Sequence, residues 1–168
     1  MDPSFQHKEI TASEWIEFIK KMPTDTLTPW VRVSNNIFHS MQWIGRDVVD
    51  KPDRRYYAIL DQDKIICSLS LYRLSEKVVR TRNLFCLPEY RRQGHMKRCL
   101  ELSLKTYPHN IKSAITFSTP QGKEFYTACG FKPVPGARQY IPLEYYDFNK
   151  MTYQLSKEDP LCILRKEF

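Results

Sequence analysis

Leu84-Phe85-Cys86-Leu87-Pro88-Glu89-Tyr90-Arg91-Arg92-Gln93-Gly94-His95-Met96-Lys97 decides how this chain folds. An apolar, β-prone run stops at Pro88, which cannot donate to a sheet ladder. A basic turn containing Gly94 follows. Beyond it Met96, Cys99, Leu100 and Leu104 recur on one helical face up to Tyr107. A strand therefore runs into a tight turn from which a helix opens. Such a turn aims several backbone N–H groups into one space, and the helix N-terminus adds about half a positive charge. Together they suit a diphosphate. The patterns G-x-x-x-x-G-K-S/T and G-x-G-x-x-G are both absent, which excludes the phosphate loop of nucleotide hydrolases and the dinucleotide fingerprint.

Charge is concentrated around this stretch. The chain carries 26 Lys and Arg against 19 Asp and Glu, a net charge of +7. Between Glu76 and Lys112 nine basic residues face three Glu, which is most of that excess. The segment reads either as a surface that meets an anion or as a solvated basic face. With 168 residues the chain is the size of one domain that buries about two-thirds of its unfolded surface. A hydrophobic fraction of 42% with 27% charged residues is globular composition and excludes disorder. No run approaches the roughly 18 apolar residues of a membrane span. Met1 to His7 has no apolar signal core, so the expected location is cytoplasmic. Cys67, Cys86, Cys99, Cys129 and Cys162 form no C-x-x-C pair and sit mostly in apolar runs. They read as reduced, buried thiols, with neither a disulfide framework nor a metal site.

Upstream, Thr11-Ala12-Ser13-Glu14 has capping-box spacing, and Trp15, Phe18, Ile19 and Met22 follow on one helical face. Thr28-Pro29 opens a second helical stripe through Trp30, Val33, Ile37, Met41 and Ile44, closed by Gly45. Residues 47–55 read as a loop. Tyr56 to Leu60 and Lys64 to Tyr72 flank Asp61-Gln62-Asp63 as a hairpin, and Val78 to Leu87 is a third strand. Ser113 to Ser118 is a short buried strand. Thr119-Pro120 begins a helix that stops at Gly130, with Phe131 placed to fold back on Phe125 or Tyr126. Met151 to Leu155 is the last strand expected, and Leu161 to Leu164 in the tail are read as an added edge strand or a docking segment.

Two motifs carry a resemblance. Pro88-Glu89-Tyr90-Arg91-Arg92-Gln93-Gly94-His95-Met96 resembles the acyl-CoA loop of the GNAT N-acetyltransferase superfamily, Arg/Gln-x-x-Gly-x-Gly/Ala after a strand and a Pro. Arg91 and Gly94 match it, and Met96 departs from it. Phe125-Tyr126-Thr127-Ala128-Cys129-Gly130-Phe131 is similar to the family's F-Y-x-x-x-G-F segment. The resemblance covers residues 5–156 and leaves 157–168 as a tail on a single domain spanning 1–168. It implies an α/β (α+β) fold: a mixed, mostly antiparallel sheet flanked by helices, with strands splayed at an acyl-CoA site.

The resemblance also implies roles. The backbone of Leu84, Phe85 and Cys86 would pair with pantetheine, and Arg91, Arg92, Gln93, Gly94, His95, Met96 and Lys97 would wrap the diphosphate. His95 would then be a phosphate neighbour or face solvent. Thr119 stands where relatives bind the pantetheine, and it reads equally well as a helix N-cap. Tyr126 would protonate the leaving thiolate. No carboxylate lies on residues 77–83 or 113–118, so the base is drawn from Glu76, His39, Glu144, Asp147 or water. The acceptor would lie between the first two helices and residues 136–148, whose Tyr140, Tyr145, Tyr146 and Phe148 flank Glu144 and Asp147. The implied activity is transfer of an acetyl group from acetyl-CoA, without a metal, to an amine of a small molecule, protein or peptide. Two other readings stay open: a relative that modifies or binds nucleic acid, and a non-catalytic acyl-CoA-binding module. The phosphates of CoA carry about four negative charges, so the basic segment permits nucleic acid without requiring it. A homodimer is common in the family, and no membrane partner is implied.

Overall fold

The Thr11–Glu14 box closes reciprocally in a computed structural model of the chain, which describes residues 4–21, 53–118, 120–134 and 162–168. The Thr11 N–H donates to Glu14 Oε1 at 3.0 Å, and the Glu14 N–H donates to Thr11 Oγ1 at 3.1 Å. Helix α1 (Ala12–Lys21) starts there, and two of its orphan amides are satisfied, a contribution of about 1 kcal/mol. Trp15, Phe18 and Ile19 bury one face of α1 against Tyr56, Ala58 and Phe85. The Trp15 and Tyr56 rings stack at 4.9 Å.

Among the described residues seven strands form one sheet in the order β1-β2-β3-β4-β5-β7-β6. They are β1 (Phe5–Ile10), β2 (Arg55–Asp61), β3 (Lys64–Ser75), β4 (Val78–Cys86), β5 (Ser113–Ser118), β6 (Lys132–Pro133) and β7 (Cys162–Glu167). Every pairing is antiparallel except β4 with β5. Helices α2 (His95–Thr106) and α3 (Pro120–Ala128) complete the described elements. The β2–β3 hairpin turns at Gln62, whose φ of 54° is the left-handed conformation such a two-residue turn needs. On one face of the sheet Tyr57, Ile59, Leu69 and Val79 pack with Cys99 and Leu100 of α2 and Tyr126 of α3. Helix α1 covers part of the other face.

Two elements differ from the sequence reading. β1 was not expected, because Phe5-Gln6-His7-Lys8-Glu9-Ile10 is too polar to show a strand pattern. Its inward residues are held individually: His7 stacks on Tyr57 at 5.5 Å, and its Nε2 lies 3.0 Å from Ser103 Oγ. The tail is the second correction. Residues 162–167 are not an edge strand appended to a finished domain. They lie inside the sheet between β5 and β6, in register from Ser113↔Glu167 to Ser118↔Cys162. Ile163 and Leu164 are buried there, so the tail belongs to the core. The expected helix at 28–45, the loop at 136–148 and the strand at 151–155 lie outside the described residues.

The sheet opens at one place. β4 and β5 pair only over Val78–Arg80 and Ser113–Ile115. Beyond that, β4 stays with β3 as far as Cys86 while β5 stays with β7 as far as Ser118. A bulge drives the divergence. Ser70 opposes Arg82 and Ser68 opposes Phe85, so Asn83 and Leu84 share the space facing Leu69. Asn83 adopts φ 59°, and its Oδ1 accepts from Ser70 Oγ and Arg54 Nη2, both at 2.7 Å. The side chain of Asn83 thus pins the backbone kink that bends β4 away from β5.

Candidate active site

At the open end of β4 the chain turns into α2. The Leu87 N–H donates to Ile66 O at 2.9 Å, which ends the pairing with β3. Successive peptide groups of a strand point to opposite edges, so the Cys86 N–H points to the opened, β5-facing side. A 3-10 turn at Pro88–Tyr90 follows, closed by Tyr90 N–H to Leu87 O at 3.0 Å and Arg91 N–H to Pro88 O at 3.2 Å. Arg92 at φ 59° and Gly94 at φ 85° then swing the backbone into the helix. The first helical bond runs from Arg98 N–H to Gly94 O at 3.0 Å. Among the described residues, the N–H groups from Arg92 to Lys97 therefore have no main-chain acceptor. No side chain caps the helix at Gly94, and a Cβ built there would meet nothing within 4 Å. These amides lie beside the positive end of a 12-residue helix, and the backbone at Gly94 borders open space.

The side chains of the turn divide the work. Arg91 is exposed, and its Nε donates to Cys86 O at 2.9 Å, clipping the turn to the end of β4. Gln93 Nε2 donates to Glu89 O at 2.9 Å. Arg92 and Lys97 are exposed. Met96, the departure from the family pattern, leans inward and packs against the core, leaving its amide outside. The His95 side chain does not face solvent, one of the two places expected for it. Its side chain is 3% exposed, 4.4 Å from the Phe5 ring, and neither ring nitrogen has a hydrogen-bond partner. Burial, seconded by Arg98, lowers its pKa, while Asp61 opposes this weakly.

Leu84 and Cys86 lean on the α2/α3 face of the sheet, and Phe85 is buried on the α1 face. Cys67 lies directly across from Cys86. The contact with Cys67, together with burial, pushes the Cys86 thiol up. Burial does the same to Cys129. Both thiols are poor nucleophiles. Cys67, Cys86, Cys99 and Cys129 are free thiols, and Cys86 is only half-buried. No group of metal-ligating side chains occurs among the described residues. Thr119 lies outside them.

Tyr126 is set by the way α3 ends. The Phe131 N–H donates to Tyr126 O and the Gly130 N–H to Thr127 O, both at 3.0 Å, with Gly130 at φ 91°. This is the Schellman ending read from the sequence, and the Phe131 ring packs on Tyr126 at 5.2 Å. Phe125 flanks the other side at 5.3 Å. The phenol, 7% exposed, projects between Thr81 of β4 and Thr116 of β5. Those are the residues immediately beyond the last paired positions, Arg80 and Ile115. The hydroxyl therefore stands at the apex of the splay. Burial raises its pKa above the usual value near 10, so the phenol is protonated at neutral pH; Thr116, Thr81 and Arg80 pull more weakly the other way.

Thr81, Thr116 and Asn83 were not singled out from sequence. A Thr in a strand is ordinary, and only the pairing register reveals that two of them flank the apex. Glu76, by contrast, is removed from the list of bases. It is exposed in the β3–β4 turn, at the end of β4 away from Cys86. His39, Glu144 and Asp147 lie outside the described residues.

Residues 52–133 match the family model of the acetyltransferase (GNAT) domain. No curated protein sequence matches the chain. Among solved structures, the PaiA N-acetyltransferase of Thermoplasma acidophilum in complex with coenzyme A superposes with a TM-score of 0.64 at 14% identity, covering 100% of both chains. A GNAT family acetyltransferase from Elizabethkingia anophelis with acetyl-CoA bound gives 0.59 at 14% identity, covering 99% of this chain and 100% of that one. The N-acetyltransferase PseH of Campylobacter jejuni gives 0.56 at 11%, covering 98% and 99%. A splayed parallel pair, an amide-lined turn into a helix and a buried tyrosine at the apex thus sit within a known architecture: the chain has the GNAT fold, and its residues 52–133 match the acetyltransferase (GNAT) domain.

Proposed function

We propose that this protein is an acyl-CoA-dependent N-acyltransferase that moves an acetyl group from acetyl-CoA to a primary amine of a small molecule, protein or peptide. The observation that carries the reading is the Tyr126 phenol at the apex of the same β4/β5 splay whose β4 arm runs into the Gly94 turn. A diphosphate suits those amides because each would accept a hydrogen bond that the fold leaves unmade. Pantetheine amides would pair with the freed edge of β4 around Leu84, Phe85 and Cys86, as an added strand would. Arg92 and Lys97 would contribute charge at the rim, Arg91 would hold the turn, and Gln93, His95 and Met96 would act through their backbone. Thr119 remains a candidate pantetheine contact.

In this reading the amine nitrogen attacks the thioester carbonyl, the Cys86 N–H donates to the developing oxyanion, and Tyr126 protonates the departing sulfur. Protonation of a thiolate needs a group still protonated at working pH, which the raised pKa of Tyr126 supports. We assign no general base. The free cysteines and the absence of a membrane-crossing helix among the described residues are compatible with a cytoplasmic protein working as one domain.

The test is thiol release from acetyl-CoA across polyamines, amino acids, antibiotics and peptide N-termini, with Tyr126→Phe alongside. Turnover with one amine class is expected, and kcat should fall about a hundredfold in Tyr126→Phe with the acetyl-CoA KM little changed. Tight acetyl-CoA binding with no turnover on any amine, and no response to Tyr126→Phe, would leave a binding module instead.

A further inference from the structure

Thr81 stands in an unusual position. It is 2% exposed, and its Oγ1 makes no well-formed hydrogen bond, although it lies within reach of the Tyr126 hydroxyl. A buried hydroxyl left unpaired costs stability, and a β strand accommodates Val at such a site with the same shape and none of that cost. The hydroxyl lies on the α2/α3 face of β4, opposite Leu71, one residue past the last β4–β5 pair. That is where the Tyr126 ring arrives, locked from behind by Phe131. Among the described residues the groups facing the phenol are Thr81 and Arg80 from β4, Thr116 from β5, Cys129 from its own helix end, and the Phe125 and Phe131 rings.

We propose that Thr81 is a positioning residue whose hydroxyl is held in reserve for the Tyr126 oxygen and donates to it as the phenol gives up its proton. This rests on Tyr126 being the proton donor. When the carbon–sulfur bond breaks, the phenolic proton passes to sulfur and negative charge appears on the Tyr126 oxygen. A neutral phenol accepts hydrogen bonds weakly, while a phenolate accepts them strongly. The Thr81 bond is therefore made mainly in the charged state, which is the condition for it to raise kcat without tightening ground-state binding. The proton released by the attacking nitrogen then restores the phenol, so protons balance over the turnover. Thr81 and Thr116 both favour the ionised phenol against burial, which is the direction this role needs.

The test is a series at position 81 in the full chain, read with acetyl-CoA and whichever amine the thiol-release assay identifies. Thr81→Ser keeps the donor, Thr81→Cys keeps the size of Ser with a much weaker donor, and Thr81→Val keeps the shape of Thr without one. The expected order of kcat is Thr near Ser, then Cys, then Val, with a total loss of about three- to tenfold. The acetyl-CoA KM should stay within about twofold across the series. Replacing Tyr126 by a fluorinated tyrosine of lower pKa should recover most of the Val deficit. A purely structural role predicts the reverse order for Ser and Cys, because the apolar thiol suits a buried site better. Equal kcat across the series with Tyr126→Phe still inactive would overturn the role of Thr81 and leave the transferase reading standing. A Tyr126→Phe variant with full kcat would overturn the role of Thr81 while its turnover upheld the transferase reading, and no turnover by the native chain with any amine would overturn both. Because Ser and Cys decide the order, the test holds even if the Val variant melts early.

Discussion

Gly94 and Gly130 adopt nearly the same backbone conformation, φ 85° and φ 91°, and use it for opposite purposes. At Gly94 the left-handed turn opens a helix, leaves amides unpaired, and faces space that a Cβ would not fill. At Gly130 it closes a helix, satisfies the carbonyls of Tyr126 and Thr127, and lies under Lys166, whose Cε would be 3.4 Å from an added Cβ. Recognition by main-chain amides requires only that the path of the backbone be kept, so the side chains around Gly94 are free for other tasks: Arg91, Arg92, Gln93 and Lys97 are exposed, while His95 and Met96 turn inward. Chemistry by a side chain requires the opposite. Tyr126 is buried, wedged between two rings, and fixed by the hydrogen bonds of its own helix end. A binding site and a reacting group thus make different demands on the same fold, and the two glycines can be broken separately.

Gly94→Val has the larger expected effect. A β-branched residue disfavours left-handed backbone by about 1–2 kcal/mol or more, so the turn relaxes and the amides diverge. Calorimetry with CoA should show Kd raised about tenfold or beyond, with a Tm loss no larger than the few degrees the φ penalty sets, because the position packs against nothing. Unchanged affinity would mean the anion is gripped elsewhere. Gly130→Ala should show the reverse balance. The φ penalty is about 1 kcal/mol, and displacement of Lys166 weakens its 2.7 Å bond to Cys129 O. Tm should fall by several degrees and kcat by several-fold, while CoA affinity holds. A loss of CoA affinity as large as the loss in kcat would show that the two ends are not independent.

The same contrast explains what the sequence made legible. Local signals were readable wherever one short segment fixes both geometry and chemistry. Pro88 to Gly94 announced its turn, Thr11 and Glu14 their box, and Gly130-Phe131 their helix stop. What escaped reading depends on partners far along the chain. β1 is polar and is a strand only because β2 pairs with it, residue for residue from Phe5↔Asp61 to Ile10↔Tyr56. β7 is three apolar side chains followed by Arg165-Lys166-Glu167, and it becomes an interior strand because β5 and β6 leave a slot between them. Thr81 and Thr116 acquire meaning only from the register that stops at Arg80 and Ile115. The bulge at Asn83 is likewise a property of β3 and β4 together.

His95 gives the smallest effect and the sharpest check on the division between main chain and side chain. In sequence it looks like part of the anion turn. In the fold only its amide belongs there, while the imidazole is buried beside Phe5 and Tyr90 without a hydrogen bond. A pKa lowered by burial means that the folded state resists a proton which the unfolded state accepts near pH 6.5. Its contribution to stability is therefore complete above about pH 6.5 and declines as the pH falls from there toward the lower folded value. Arg98 steepens this decline and Asp61 softens it. His95→Leu fills the same space, removes the unpaired nitrogens, and leaves the amide in place. The unfolding free energy from urea titration at pH 7.5 should hold or rise by on the order of 1 kcal/mol. The loss between pH 7 and pH 5.5 should shrink but not vanish, since burial also lowers the pKa of His7. CoA affinity should be unchanged. If it fell tenfold while stability held, the imidazole would be a ligand group after all, and the turn would bind by side chain as well as by backbone.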